Sequence, residues 1–214
     1  MELGDLPRPQ RDFFTRDAVT VAQELLGTYL VSEVGGSTVG GRIVETEAYT
    51  SNDPASHSFP GPTARNGSMY MAGGTLYVYL IYGVHYCLNV VTGPKGIGEA
   101  VLLRAVEPIW GVSAMAHRRG VAGRQRYKKT EEPRRLRGIA DGPGKIAQAL
   151  GVTAREDGSS LLNGPVRILL PPEPLSPGRI VATHRIGITK AARMHRRFVD
   201  AESSLLSKKV YKGN

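Results

Sequence analysis

The stretch that most constrains this chain is residues 75–91, TLYVYLIYGVHYCLNVV. From Leu76 to Val91 it is the longest apolar run, interrupted by Gly83, His85 and Asn89, and it is short for a bilayer-spanning helix. Its Tyr, Val and Ile content favours strands. Gly83 permits a tight turn. The spacing therefore predicts a β-hairpin, with one strand over 75–81 and its return over 86–91.

Other segments extend this pattern. Residues 99–106 read as an apolar strand, and 28–49 as strands broken at Gly35–Gly36 and Gly40–Gly41. A helix is expected over 16–27, with Asp17 as N-cap, Val21, Leu25 and Leu26 as its apolar stripe and Gly27 closing it. A second helix is expected over 108–117. A third is opened by Asp141–Gly–Pro–Gly–Lys145 and ends near Gly151. Residues 50–74, with three Pro and four Gly, read as an irregular loop. Residues 118–138 carry nine Lys or Arg and are expected to form a mobile basic loop, and 199–214 a basic tail. Strands and helices do not alternate strictly. The expected fold is α+β, a single compact domain over 1–214 with a mainly antiparallel or mixed sheet flanked by helices.

A chain of 214 residues with 41% hydrophobic residues can build a substantial core. Its 28 Lys and Arg against 19 Asp and Glu leave a net charge of +9, which attracts polyanions, nucleic acid foremost. The lone Cys87 sits in an apolar run and reads as a small buried hydrophobe in a reducing compartment. The first residues show no apolar signal core, so a soluble, cytoplasmic protein without membrane contact is expected. His57, His85, His117, His184 and His195 do not fall in zinc-site spacing, and no P-loop, GxSxG elbow or dinucleotide fingerprint occurs. Neither a metal nor a cofactor is expected.

Three features carry chemistry. In GRIVETEAYT, residues 41–50, period-two geometry puts Glu45, Glu47 and Tyr49 on one face. Two carboxylates that close repel, and one in a pocket can activate water as a general base. The plainer alternative is a pair of exposed strand glutamates matched by surface arginines. Tyr77, Tyr79, Tyr82 and Tyr86 crowd the hairpin turn. Aromatic faces stack bases, worth about 1–3 kcal/mol per base, and an exposed ring at a hairpin tip can wedge between base pairs. Core filling accounts for a strand Tyr in general, but least for Tyr82 beside the turn glycine. Asn89 and Arg104 are polar residues in apolar strands. If buried, Asn89 needs partners and Arg104 needs an anion such as Glu47; the alternative is an edge position facing water.

The ordered motifs GRIVETEAY, DPASHS, TARN, GTLYVYLIYGVHYCLNVV, AVLLRAVEP, DGPGK and THRIGI together resemble the 3-methyladenine (alkyladenine) DNA glycosylases of the mammalian and Bacillus type. The resemblance covers roughly residues 10–198. It implies a sheet like the C-terminal domain of formyltransferases, curved, with a protruding hairpin that intercalates into DNA. It implies Glu47 as the general base, Arg104 as the arginine holding the attacking water and the base's carboxylate, and Ile186 as a backbone carbonyl touching that water. Tyr49 on one side and His57 and Tyr79 on the other would wall the base pocket, with Leu102 in its lining and Asn89 crowding out a guanine amino group. Tyr82 would fill the gap left by the extruded nucleotide, with Gly83, Val84 and His85 beside it in the minor groove. Arg65, Lys145 and Arg197 are assigned to backbone phosphates.

The implied activity is excision of alkylated or deaminated purines from double-stranded DNA by a monomer, without cutting the strand. Two other classes fit the charge: a non-catalytic nucleic-acid-binding module and an RNA-modifying enzyme. Glu47 beside Tyr49 argues against a pure binding face, which gains nothing from a carboxylate near phosphates.

Overall fold

A computed structural model describes residues 3–121 and 133–210. Its strands are β1 Tyr29–Ser32, β2 Val39–Tyr49, β3 Leu76–Ile81, β4 His85–Thr92, β5 Glu99–Trp110, β6 Val166–Leu169, β7 Ile180–Thr183 and β8 Arg197–Asp200. Its α-helices are α1 Arg11–Phe14, α2 Ala18–Glu24, α3 Val112–Arg118, α4 Pro133–Leu136 and α5 Pro143–Leu150. The strands form one sheet in the order β3-β4-β5-β2-β1-β6, every pair antiparallel, with β8 joining β2 and β7 joining β8. The expected α+β class with an antiparallel sheet is what the chain adopts, as a single compact domain.

β2 organises the sheet. One edge pairs with β5 along its length; the other pairs with β1 over Val39–Arg42 and then with β8 over Glu45–Glu47. Gly40 and Gly41, expected to break the strand, lie inside it. A Cβ on Gly40 would meet the Leu30 carbonyl oxygen at 2.4 Å, and one on Gly41 the Glu107 carbonyl oxygen at 2.0 Å. These glycines permit close strand approach, and the turn falls earlier, at Val34–Gly36, where Gly35 has φ 76°.

β2 has irregular register against β5 between Ile43 and Thr46, yet side chains beyond still alternate. Thr46 and Ala48 face the helices, the Thr46 hydroxyl donating to the Ala22 carbonyl in α2 at 2.8 Å. The same alternation sends Leu76, Val78, Leu88, Val90, Val101 and Leu103 into the main core. There they meet Val21 and Ala22 of α2 and Ile146 and Leu150 of α5. The intervening residues, Tyr77, Tyr79, Cys87, Asn89, Leu102 and Arg104, border a cavity on the opposite face. The core pattern thus dictates which side chains reach that cavity.

Helix boundaries shift from the sequence expectation. Asp17 caps α2, accepting from the Val19 and Thr20 N–H groups at 3.0 Å each, but the helix stops at Glu24. Residues 108–110, expected to be helical, continue β5, because Trp110 pairs with Gly40 and packs edge-on against Tyr29 at 5.1 Å. Pairing with β2 overrides the local pattern, and α3 starts only after the left-handed Gly111. Of the expected basic loop, Arg118 ends α3 and donates to the Val34 carbonyl at 2.8 Å, while residues 133–136 are helical. Residues 122–132 of that expectation lie outside the described residues. β3 and β4 form the expected hairpin, with Ile81 opposite His85 and both Tyr82 (φ 54°) and Gly83 (φ 73°) left-handed at its turn.

Candidate active site

Register places one row of residues across the sheet: Tyr77 opposite Asn89, Asn89 opposite Leu102, Leu102 opposite Glu47, and Glu47 opposite Arg197. Directly paired residues share a face. A cavity of about 360 Å³ lies over this part of the sheet. Tyr49, His57, Tyr79, Asn89, Leu102, Arg104 and Ile186, all expected at the site, border it together, with Tyr82 and His85 contributed by the hairpin. Tyr77, singled out in the sequence as one of the hairpin aromatics, borders it too, and so do Met69, Cys87 and the α5 residues Pro143 and Gly144, which no sequence signal had assigned there.

Glu47 is fully buried, so the reading of two exposed strand glutamates does not hold. Three lining residues hold its carboxylate. The Ile186 N–H donates to Oε1 at 2.8 Å, Arg104 Nη1 lies 3.3 Å from Oε1, and the Tyr49 hydroxyl donates to Oε2 at 2.9 Å. The expectation for Ile186 concerned its carbonyl and the attacking water; its N–H is a further contact, made to the carboxylate itself. Burial pushes the Glu47 carboxyl above the ordinary carboxylate range, opposed by Arg104 and the bonds from Ile186 and Tyr49. Burial and neighbouring Glu47 push the Tyr49 hydroxyl well up, so it stays a donor. Burial works against charge on Arg104, but Glu47 and Glu45 outweigh it and raise its pKa.

The cavity's aromatic groups are fixed by one another. His57 Nδ1 lies 3.0 Å from the Tyr77 hydroxyl, and the His57 ring meets Tyr79 edge-on at 4.5 Å between centroids. Burial lowers the His57 pKa, which favours neutral imidazole. Burial also raises the Tyr77 hydroxyl to about 12. The Asn66 amide donates to the His57 carbonyl at 2.8 Å, tying the loop that carries His57. Asn89 is 4% exposed and donates to the Tyr77 carbonyl at 3.1 Å, so its amide is fixed across the hairpin.

Tyr49 is backed by charge. The Arg185 guanidinium sits 4.6 Å from the centre of its ring. Arg185 also donates to the Ala48 carbonyl at 3.0 Å and to both oxygens of buried Asp53. Arg196 Nη1 reaches the Thr50 hydroxyl at 2.6 Å and Asp53 at 3.3 Å. Burial opposes the Asp53 charge, but the Arg185 hydrogen bond, the Ala55 N–H and the nearby charges of Arg185 and Arg196 together outweigh it and lower the carboxyl below its usual value. Asp53 and Arg185 stood in the motifs DPASHS and THRIGI without an assigned role; a charged residue in each was the available signal.

The hairpin tip and the basic residues separate. Tyr82 is 85% exposed and Val84 69%, with Gly83 between them. Arg65 is exposed beyond the cavity, and the Lys145 ammonium is 2.8 Å from Asp141. Arg197, expected on phosphate, is 3% exposed and donates from Nε to Glu45 Oε1 at 2.7 Å. Pairing β8 with β2 turns its side chain inward, so its charge is neutralised inside the protein. Among the described residues, no group of three or more His, Cys, Asp or Glu side chains is placed to hold a metal ion, and no helix is long and apolar enough to cross a membrane.

A buried, arginine-braced carboxylate behind an aromatic cavity is the equipment of a hydrolase that takes a flat ring and acts through water. Residues 12–204 match the family described as Methylpurine-DNA glycosylase (MPG). A protein of Methanoculleus marisnigri, provisionally named a 3-methyladenine DNA glycosylase, is 49% identical over 199 residues, covering 92% of this chain and 97% of its own. Proteins of Rhizobium etli and Carboxydothermus hydrogenoformans with the same provisional name are 47% and 41% identical, covering 92% and 93% of this chain and 88% and 98% of theirs. The chain belongs to the methylpurine-DNA glycosylase family: it is a DNA glycosylase, a hydrolase of DNA repair.

Proposed function

We propose that this glycosylase is monofunctional and acts on alkylated or deaminated purines of the 3-methyladenine, 7-methylguanine, hypoxanthine and ethenoadenine class. The observation that carries the reading is Glu47, wholly buried yet held by three residues that line an aromatic cavity. The relatives' names support the alkylated-purine part.

A purine inside the duplex shields its sugar carbon from water, so the nucleotide must rotate out, at a cost of a few kcal/mol. Stacking between Tyr49 on one side and His57 and Tyr79 on the other offsets that cost, and Tyr82 fills the gap left in the helix. Gly83, Val84 and His85 accompany it in the minor groove. Asn89 and Leu102 shape the pocket against a guanine amino group. Breaking the N-glycosidic bond builds positive charge on the sugar. The Glu47 carboxylate stabilises it and takes a proton from the attacking water, with Arg104 and Ile186 fixing that carboxylate. An alkylated purine already carries positive charge and leaves readily. Arg65 and Lys145 lie among the charges that draw in the DNA backbone. The enzyme works as a monomer in the cytoplasm, at the nucleoid in a bacterium.

No lysine is among the described residues lining the cavity, which favours water over an amine as nucleophile. Incubation with duplexes each carrying one lesion tests the proposal. Free base and an intact strand bearing an abasic site are expected; borohydride trapping of an enzyme–DNA adduct would overturn it.

A further inference from the structure

Beside the proposed base lies a second carboxylate that the hydrolysis leaves without a role. Glu45 is fully buried, and both its oxygens are engaged. Oε1 accepts from Arg104 Nε at 2.9 Å, from Arg197 Nε at 2.7 Å and from the Ser207 hydroxyl at 2.6 Å. Oε2 accepts from the Ser207 N–H at 2.6 Å. The Ser207 hydroxyl in turn accepts from Arg104 Nη2 at 3.2 Å, and Arg197 Nη2 donates to the Lys208 carbonyl at 2.5 Å.

We propose that Glu45, Arg197 and the C-terminal segment at Ser207 form a positioning clamp that fixes Arg104 for the glycosylase reaction. The inference rests on Glu47 being the base. Arg104 has three nitrogens to place. Nε is held by Glu45 and Nη2 by Ser207, which leaves Nη1 the one facing Glu47, at 3.3 Å. A guanidinium is planar, so two fixed nitrogens set the direction of the third. Ser207 bridges both partners, giving to the carboxylate and receiving from the arginine.

Charge supports the same reading. Two arginines meet two carboxylates in a buried cluster, so Arg104 is shared between Glu45 and Glu47 while Arg197 serves Glu45. Without Arg197, two buried carboxylates would compete for one guanidinium, and Glu45, with the shorter contact, would draw it from the base. The C-terminal segment thereby becomes part of the site, about 160 residues along the chain from Glu47.

Ser207→Ala removes the bridging hydroxyl at little cost in packing and is the primary test; Glu45→Gln is the more drastic partner. Single-turnover excision from a duplex with one alkylated purine, and binding to an abasic-site duplex, are measured on the full chain. A loss of catalytic positioning gives an excision rate lowered on the order of tenfold with the binding constant within about twofold, and Ser207→Thr restores the rate. Ser207→Ala at wild-type rate overturns the clamp, as does a fall in rate and binding together, which marks a structural role only. Glu47→Gln measured in parallel separates the two claims: if it is inactive while Ser207→Ala is not impaired, the clamp fails and the base stands.

Discussion

Arg185→Met should destabilise the protein while leaving its fold intact, and its cost can be worked from the contacts. Arg185 and Asp53 are both fully buried at the side chain, joined through two guanidinium nitrogens. Removing one partner of a buried pair costs about 3–5 kcal/mol, because the other charge is stranded. Arg196 still approaches Asp53 at 3.3 Å, which favours the lower end, about 3 kcal/mol. At about 2–4 °C per kcal/mol for a domain of this size, the midpoint should fall by about 6–12 °C. Asp53→Asn should cost a similar amount by stranding Arg185. The double variant should then cost less than the two singles summed, with a coupling of about 2–3 kcal/mol. Thermal and urea unfolding of the four proteins measure the cycle. Acid unfolding checks its sign: a carboxylate held below its usual pKa contributes stability above the unfolded pKa, lost as pH falls through the folded one. Wild type and Arg185→Met should therefore converge as the medium is acidified. Additive single effects, or an Arg185→Met cost under about 0.5 kcal/mol, would refute the reasoning.

Tyr82→Ser should weaken binding to abasic DNA and slow single-turnover excision, since the ring stands 85% exposed at the hairpin tip; unchanged values would remove it from the DNA step. Asn89→Ser should raise excision of unmodified guanine relative to the lesion by about fivefold to a hundredfold or more, in line with about 1–3 kcal/mol for a misfitting polar group; an unaltered ratio would count against its role in exclusion. Glu47 has a raised pKa, so in the folded state it holds its proton to higher pH than in the unfolded chain. Stability falls as pH rises through that window. Glu47→Gln should therefore melt at or above the wild-type temperature near neutral pH, with the gap closing towards acid; a gap that widens towards acid would contradict the burial argument.

The sequence exposed those parts of the site that follow from local periodicity. Glu45, Glu47 and Tyr49 share a face because strands alternate, and Asn89 and Arg104 stand out because polar residues inside apolar strands require partners. The hairpin followed from strand formers on both sides of Gly83. Longer-range facts were not readable. Arg197 looks like any basic residue until β8 is laid beside β2, and only that pairing puts it on Glu45. Ser207 has no pattern of its own; its role exists because the chain returns to Glu45. Gly40–Gly41 read as a break because glycine marks turns and close approaches alike, and only Leu30 and Glu107 across the sheet decide between them. Residues 108–110 fit a helix locally, but sheet pairing to Gly40 and the Tyr29 contact prevail.

The most direct test of the whole account is single-turnover excision by wild type and Glu47→Gln on one alkylated-purine duplex, with abasic-duplex affinity measured on the same preparations. Loss of excision by several orders of magnitude, with affinity retained, is the predicted result. Excision by Glu47→Gln at near wild-type rate would contradict it.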